Sequence, residues 1–178
     1  MANHYLEMLV HVPLSTHKEP QKVLVVTDRK EEIGNELEKQ KLFLNLETTF
    51  SDSDSFKNLE SESFDVAIFE SGDLDEVSIS HINRILNSNG VVSSSGNFET
   101  LKKFSSAFRI AMPYLTFEIE EKSEISILAS KFYHPTADIN LQRADFIDNC
   151  EYYNSDTHTS SFVMPNYIKN QIRDFVRN

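Results

Sequence analysis

The sequence predicts an α/β fold, a mostly parallel central sheet flanked by helices with an antiparallel edge. Continuous apolar runs rich in β-branched residues, at 22–27 and 64–70, have the pattern of strands covered on both faces. Stretches of helical periodicity alternate with such runs. The connections are short, which leaves right-handed crossovers as the way to join the strands.

Element by element, Tyr5, Met8, Leu9 and Val12 fall at helical spacing, so a helix is expected over 5–12, with Pro13 ending it. Residues 22–27 form the clearest strand. Residues 28–40 are charged, with Ile33 and Leu37 four apart, and read as a surface helix capped by Thr27 or Asp28. A second strand is expected over 42–47, a Ser/Asp turn over 51–55 and a short helix over 56–59. The strand at 64–70 runs into a polar loop at 71–75, and Ile79, Ile82, Ile85 and Leu86 stripe the next helix. Asn89-Gly90 reads as a stop, Val91-Val92 as a short strand and 98–108 as a helix. Residues 109–115 and 124–130 are expected to pair antiparallel across an acidic turn at 120–123, followed by helices at 139–149 and 166–177.

Composition narrows the function. With 178 residues and 39% hydrophobic content, the chain suits one compact domain spanning 1–178. A net charge of −11 without any Lys/Arg cluster argues against a nucleic-acid partner and suits cationic ligands. No apolar stretch approaches the roughly 20 residues of a membrane helix. The single cysteine, Cys150, excludes an intrachain disulfide, fits a reducing, cytoplasmic setting, and reads as a small half-buried hydrophobe. His4, His11, His17, His81, His134 and His158 are scattered, so no metal site is expected.

Four stretches carry a family resemblance. Tyr5-Leu-Glu-Met-Leu followed by His11-Val-Pro-Leu resembles the helix that opens the catalytic domain of spermidine synthases, the polyamine aminopropyltransferases. Tyr152-Tyr-Asn, then His158, Ser160-Ser-Phe and Met164-Pro is similar to that family's closing motif. Between them, Phe64-Asp-Val running to Glu70 and Asp73 resembles the family's Tyr-Asp-Val strand and its Asp-x-x-Asp loop, and Ala111-Met-Pro113 its Ala-x-Pro before a substrate-facing Tyr. The resemblance implies a Rossmann-like fold of the S-adenosylmethionine-dependent methyltransferase type. It also implies a homodimer, and the family's N-terminal β domain is expected to be absent.

The implied reaction moves an aminopropyl group from decarboxylated S-adenosylmethionine, an adenosyl sulfonium, to putrescine, with no metal and no permanently bound cofactor. The attacking nitrogen must be neutral, so the site needs carboxylates for a polycation and an acceptor for one proton. By resemblance Glu70 is the base with Tyr5 as its catalytic neighbour, Asp73 and Tyr114 bind the amine, and Asp28, Glu47, Asp54 and Ser55 face the co-substrate.

The sequence also departs from the family. Glu70 replaces an Asp, moving the carboxylate by about 1.5 Å, a displacement that can cost about a hundredfold in rate. Leu6 replaces a polar residue. The glycine run that normally follows the first strand is replaced by Thr27-Asp-Arg-Lys-Glu-Glu-Ile-Gly34, whose Arg29 and Lys30 would fill the ligand's space and repel a sulfonium. Too few residues separate Glu47 from Phe64 for the usual helix, strand and helix. Two other readings fit these departures, a catalytically impaired homologue that binds polyamine or a partner, and a class I methyltransferase.

Overall fold

A computed structural model describes residues 3–70, 74–119 and 122–178. In chain order the elements are α1 (His4–Thr16), β1 (Lys22–Val26), α2 (Lys30–Glu38), β2 (Glu47–Ser51), a 3-10 turn (Ser55–Asn58), β3 (Phe64–Phe69), α3 (Glu76–Ile85) and β4 (Leu86–Ser95). Then follow α4 (Phe98–Ala107), β5 (Ile110–Thr116), β6 (Glu124–Ser130), α5 (Leu141–Asp145), α6 (Ser155–Ser161) and α7 (Asn166–Ile172). The six strands form one sheet in the order β2-β1-β3-β4-β6-β5. The pairs β1/β2, β1/β3 and β3/β4 are parallel, while β6 runs antiparallel to both neighbours, so the β6/β5 pair with β5 outermost forms the expected antiparallel edge. This is the Rossmann-like, methyltransferase-type α/β architecture.

The sheet is covered on both faces because the inner residues of β1 and β3, Val23–Val26 and Val66–Phe69, are apolar on both sides. Leu24, Val26, Ala67 and Phe69 pack with Ile79, Ile82, Leu101 and Phe104 of α3 and α4. The alternate residues Val23, Val25, Val66 and Ile68 pack with Leu6, Leu9 and Ile33 of α1 and α2. A third cluster joins Met8 and Val12 of α1 to Val91, Tyr114, Tyr153 and Phe162.

Several expected boundaries move. Pro13 does not end α1, which continues to Thr16. A proline inside a helix costs about 3 kcal/mol, but every residue of α1 from Tyr5 onward is buried, and the last turn is capped from outside. The Arg143 guanidinium donates to the carbonyls of Leu14, His17 and Lys18. The expected stop at Asn89-Gly90 lies inside β4, which starts directly after α3. The chain is so tight there that a Cβ on Gly90 would stand 2.7 Å from that of Leu86.

The second strand is Glu47–Ser51 rather than 42–47. The apolar run at 42–46 forms turns in which Phe43 and Leu44 N–H groups donate to the Gln40 carbonyl, while Thr48, Thr49 and Phe50 supply the β-formers that pair with β1. Between β2 and β3 there is one 3-10 turn, in keeping with the shortage of residues. The helices expected at 139–149 and 166–177 shrink to α5 and α7, and α6 is an addition. The loop at 71–73 and residues 120–121 of the acidic turn lie outside the described residues.

Glu7 binds the two ends of the chain together. Its fully buried carboxylate accepts the backbone N–H groups of Glu151, Tyr152 and Tyr153 at 3.0, 2.9 and 3.0 Å. Glu7→Ala would leave three amides unpaired, and is expected to lower the unfolding free energy by about 3 kcal/mol in a urea titration. An unchanged midpoint and slope would show that these bonds contribute no net stability.

Candidate active site

The register of the parallel strands sets the site. Val26 pairs with both Ser51 and Phe69, so Thr27, Asp52 and Glu70 leave the sheet at the same edge. The chain turns in opposite directions from β1, toward β2 on one side and β3 on the other, which is the switch point where open α/β sheets bind ligands. A cavity of about 310 Å³ lies there, lined by Val26, Thr27, Asp28, Asp52, Ser53 and Glu70. A larger hollow of about 770 Å³, lined by Glu19, Glu47 and Arg143 among others, opens where β1 and β2 begin. We take the smaller one as the site, because it is at the carboxyl ends of the strands and gathers three carboxylates.

Glu70 is the hub of the polar groups. Arg29 donates to its Oε1 from Nε at 2.7 Å and approaches it with Nη2 at 2.6 Å. The Thr27 hydroxyl donates to Oε2 and accepts the Arg29 N–H at 2.8 Å, closing the loop without a glycine. Burial alone would raise the Glu70 carboxyl, but the hydrogen bonds from Arg29 and Thr27 and the Arg29 charge outweigh it and hold the group below the ordinary carboxylate range. Tyr5, at the start of α1, lies against the same guanidinium, with Arg29 Cζ 5.9 Å from the ring centroid. Burial pushes the Tyr5 phenol up to about 12, opposed by a Ser95 hydrogen bond and reinforced by the charges of Glu124 and Glu70.

The structure therefore brings Glu70, Tyr5 and Asp28 to one place. Asp73 lies outside the described residues. Three expectations are corrected. Glu47 begins β2 instead of ending it, pairs with Lys22 and stands at the opposite end of the strand from Ser51. Tyr114 is fully buried, with its hydroxyl 2.6 Å from Ser93 Oγ and its ring against Phe162, and it does not line the cavity. Asp54 points into solvent beside Lys57, and Ser55 closes a turn by donating to Asp52.

Asp52, directly after Ser51, holds the position expected of Glu47, at the carboxyl end of β2. Backbone hydrogen bonding from Ser55, then its hydroxyl and the Asp54 N–H, keeps this exposed carboxyl below its usual range. The signal for it was an acid directly after Thr48-Thr49-Phe50-Ser51, the true strand.

Because the Glu70 carboxyl is lowered by its partners, the pair stabilises the fold fully above the unfolded-state carboxylate range. That contribution is lost as pH falls through the lowered folded value. A carbon-detected NMR titration is expected to place Glu70 below the ordinary glutamate value of about 4.3, and Arg29→Ala should move it upward. The same midpoint in both proteins would mean that the ion pair does not form in solution.

No protein-family model and no curated protein sequence matches the chain. Solved structures do. A spermidine synthase in complex with the transition-state analogue AdoDATO superposes with a TM-score of 0.79 at 21% identity, over 96% of this chain and 75% of that one. Spermidine synthase from Thermotoga maritima gives 0.78 at 22% identity, over 96% and 74%. A Haemonchus contortus phosphoethanolamine-type N-methyltransferase, solved with S-adenosylhomocysteine, gives 0.52 at 18% identity, over 85% and 42%. At these identities the likeness is one of fold, and the fold of this chain is spermidine synthase-like over nearly its whole length.

Proposed function

We propose that this protein is a spermidine synthase-like aminopropyltransferase, acting on putrescine with decarboxylated S-adenosylmethionine as co-substrate. The observation that carries the reading is the cation already held at Glu70. The Arg29 guanidinium lies against the carboxylate and the Tyr5 ring, surfaces of the kind that bind a substrate ammonium.

In this reading the diamine displaces Arg29 from Glu70. Once freed, the carboxylate moves up toward the range in which it accepts a proton from the attacking nitrogen. The nitrogen forms a bond to the aminopropyl carbon, the carbon–sulfur bond breaks with its electron pair passing to sulfur, and 5′-methylthioadenosine leaves. Asp52 accepts nucleoside hydroxyls from the end of β2, as a carboxylate with two acceptor oxygens does, and Asp28 adds negative charge beside the sulfonium. Asp73 anchors the second amine. A homodimer in the cytoplasm belongs to the same proposal.

A second reading, a polyamine-binding module without turnover, is favoured by the same Arg29 contact, which keeps Glu70 a weak base and sets a like charge near a sulfonium. Release of 5′-methylthioadenosine from decarboxylated S-adenosylmethionine and putrescine separates the two. Turnover that falls about a hundredfold or more in Glu70→Gln, the loss typical of a removed acid–base group, is the expected result. Putrescine binding without turnover would leave the binding module. If calorimetry detects neither putrescine nor 5′-methylthioadenosine at millimolar concentration, both readings fail, and a preference for S-adenosylhomocysteine would point to a methyltransferase.

A further inference from the structure

Three segments distant in sequence bring metal-ligating groups together away from Glu70: His11 from α1, Glu36 from α2 and Cys150 from the turn before α6. One ligand atom from each lies within 4.8 Å of the others, and among the described residues no other three such side chains meet. We infer that His11, Glu36 and Cys150 form a binding site for one zinc-like dication.

The spacing suits a shared ion. His11 Nε2 stands 3.0 Å from Glu36 Oε2. Tetrahedral zinc with nitrogen and oxygen donors at about 2.0–2.1 Å holds those donors about 3.3 Å apart, and Cys150 Sγ, within 4.8 Å of both, reaches a thiolate position about 2.3 Å from the metal by moving at most about 1 Å.

The charge balance points the same way. Lys39 Nζ lies 2.9 Å from Glu36 and 3.6 Å from Glu7, so one ammonium serves two buried carboxylates. A dication that displaces one thiol proton supplies the missing positive charge.

The supporting contacts are also present. For Nε2 to bind the metal, the imidazole proton must sit on Nδ1 and donate to an acceptor. Gln40 places its amide there, with Nε2 2.8 Å from Nδ1, while its buried Oε1 has no hydrogen-bond partner. Turning that amide over, an assignment that the hydrogen-bond network decides, sets Oε1 on the Nδ1 proton. On binding, Sγ, Nε2 and Oε2 bond to the metal, the thiol proton passes to solvent, and Lys39 swings from Glu36 to Glu7. The Lys39 side chain is 19% exposed, which gives the ion its way in.

Calorimetric titration of the tag-free full chain with zinc chloride tests the site. One ion per chain is expected, with affinity rising with pH as the thiol proton is released. Cobalt(II) should give a thiolate-to-metal absorption band. Cys150→Ser should remove the band and weaken zinc binding at least about 100-fold, the upper end of what losing a mere supporting partner costs, while Lys39→Met should strengthen it. His11→Gln should weaken zinc binding as well, and should that variant fail to fold, the Cys150 and Lys39 variants decide. Equal zinc affinity in the native chain and Cys150→Ser, or a cobalt spectrum without the thiolate band, would overturn the site and leave the Glu70 cavity unaffected.

Discussion

The pairing of Val26 with Phe69, at the adjoining ends of β1 and β3, is the constraint on which the rest depends. Both strands are apolar on both faces, with α1 and α2 packed on one side and α3 and α4 on the other. A slip of one residue would exchange the two faces and misplace every side chain. The register therefore holds firmly, and Thr27 and Glu70 emerge next to each other with the Glu70 N–H donating to Val26 O at 3.1 Å. Arg29, two residues beyond Thr27, then reaches Glu70 as a consequence of that pairing.

What the sequence made legible follows from the same physics. Strands buried on both faces are written as largely apolar runs, so β1 and β3 could be read directly, and the acidic turn between 109–115 and 124–130 marked the antiparallel pair. The Tyr5 and Glu70 placements were equally accessible, because each lies at the end of a well-marked element. The apolar run at 42–46 misled because hydrophobicity does not distinguish a strand from a half-covered turn, and Leu42 is 71% exposed. That shift moved the expected acid from Asp52 to Glu47, at the opposite end of the sheet. Helix α6 was hidden because its buried residues are His158 and Ser161, held by an Asn154 capping box rather than by an apolar stripe. The meeting of His11, Glu36 and Cys150 is a product of tertiary packing, with no local spacing to announce it.

Fold and site have to be weighed separately, since one α/β architecture hosts many chemistries. The architecture agrees with spermidine synthases across 96% of the chain. The loop after β1 differs in kind: where glycines would open the backbone to a nucleoside, Thr27 closes a turn and Arg29 lays its charge on Glu70. An ion pair at this partly exposed position is worth far less than a buried one, so a competing diamine with two charges has a modest barrier to overcome. The charge on Glu70 and the presence of Asp28 and Asp52 fit a cationic ligand better than an anionic one.

In the proposed reaction the cavity at the carboxyl ends of β1, β2 and β3 holds an adenosyl group, and an amine replaces Arg29 at Glu70. A crystal structure of the chain grown with 5′-methylthioadenosine and putrescine tests it most directly. The expected result is the nucleoside against Asp52 and an ammonium against Glu70 and Tyr5, with the Arg29 guanidinium turned away. Ligand density at the other end of the sheet beside Glu47, or Arg29 still bound to Glu70 in a saturated crystal, would contradict it.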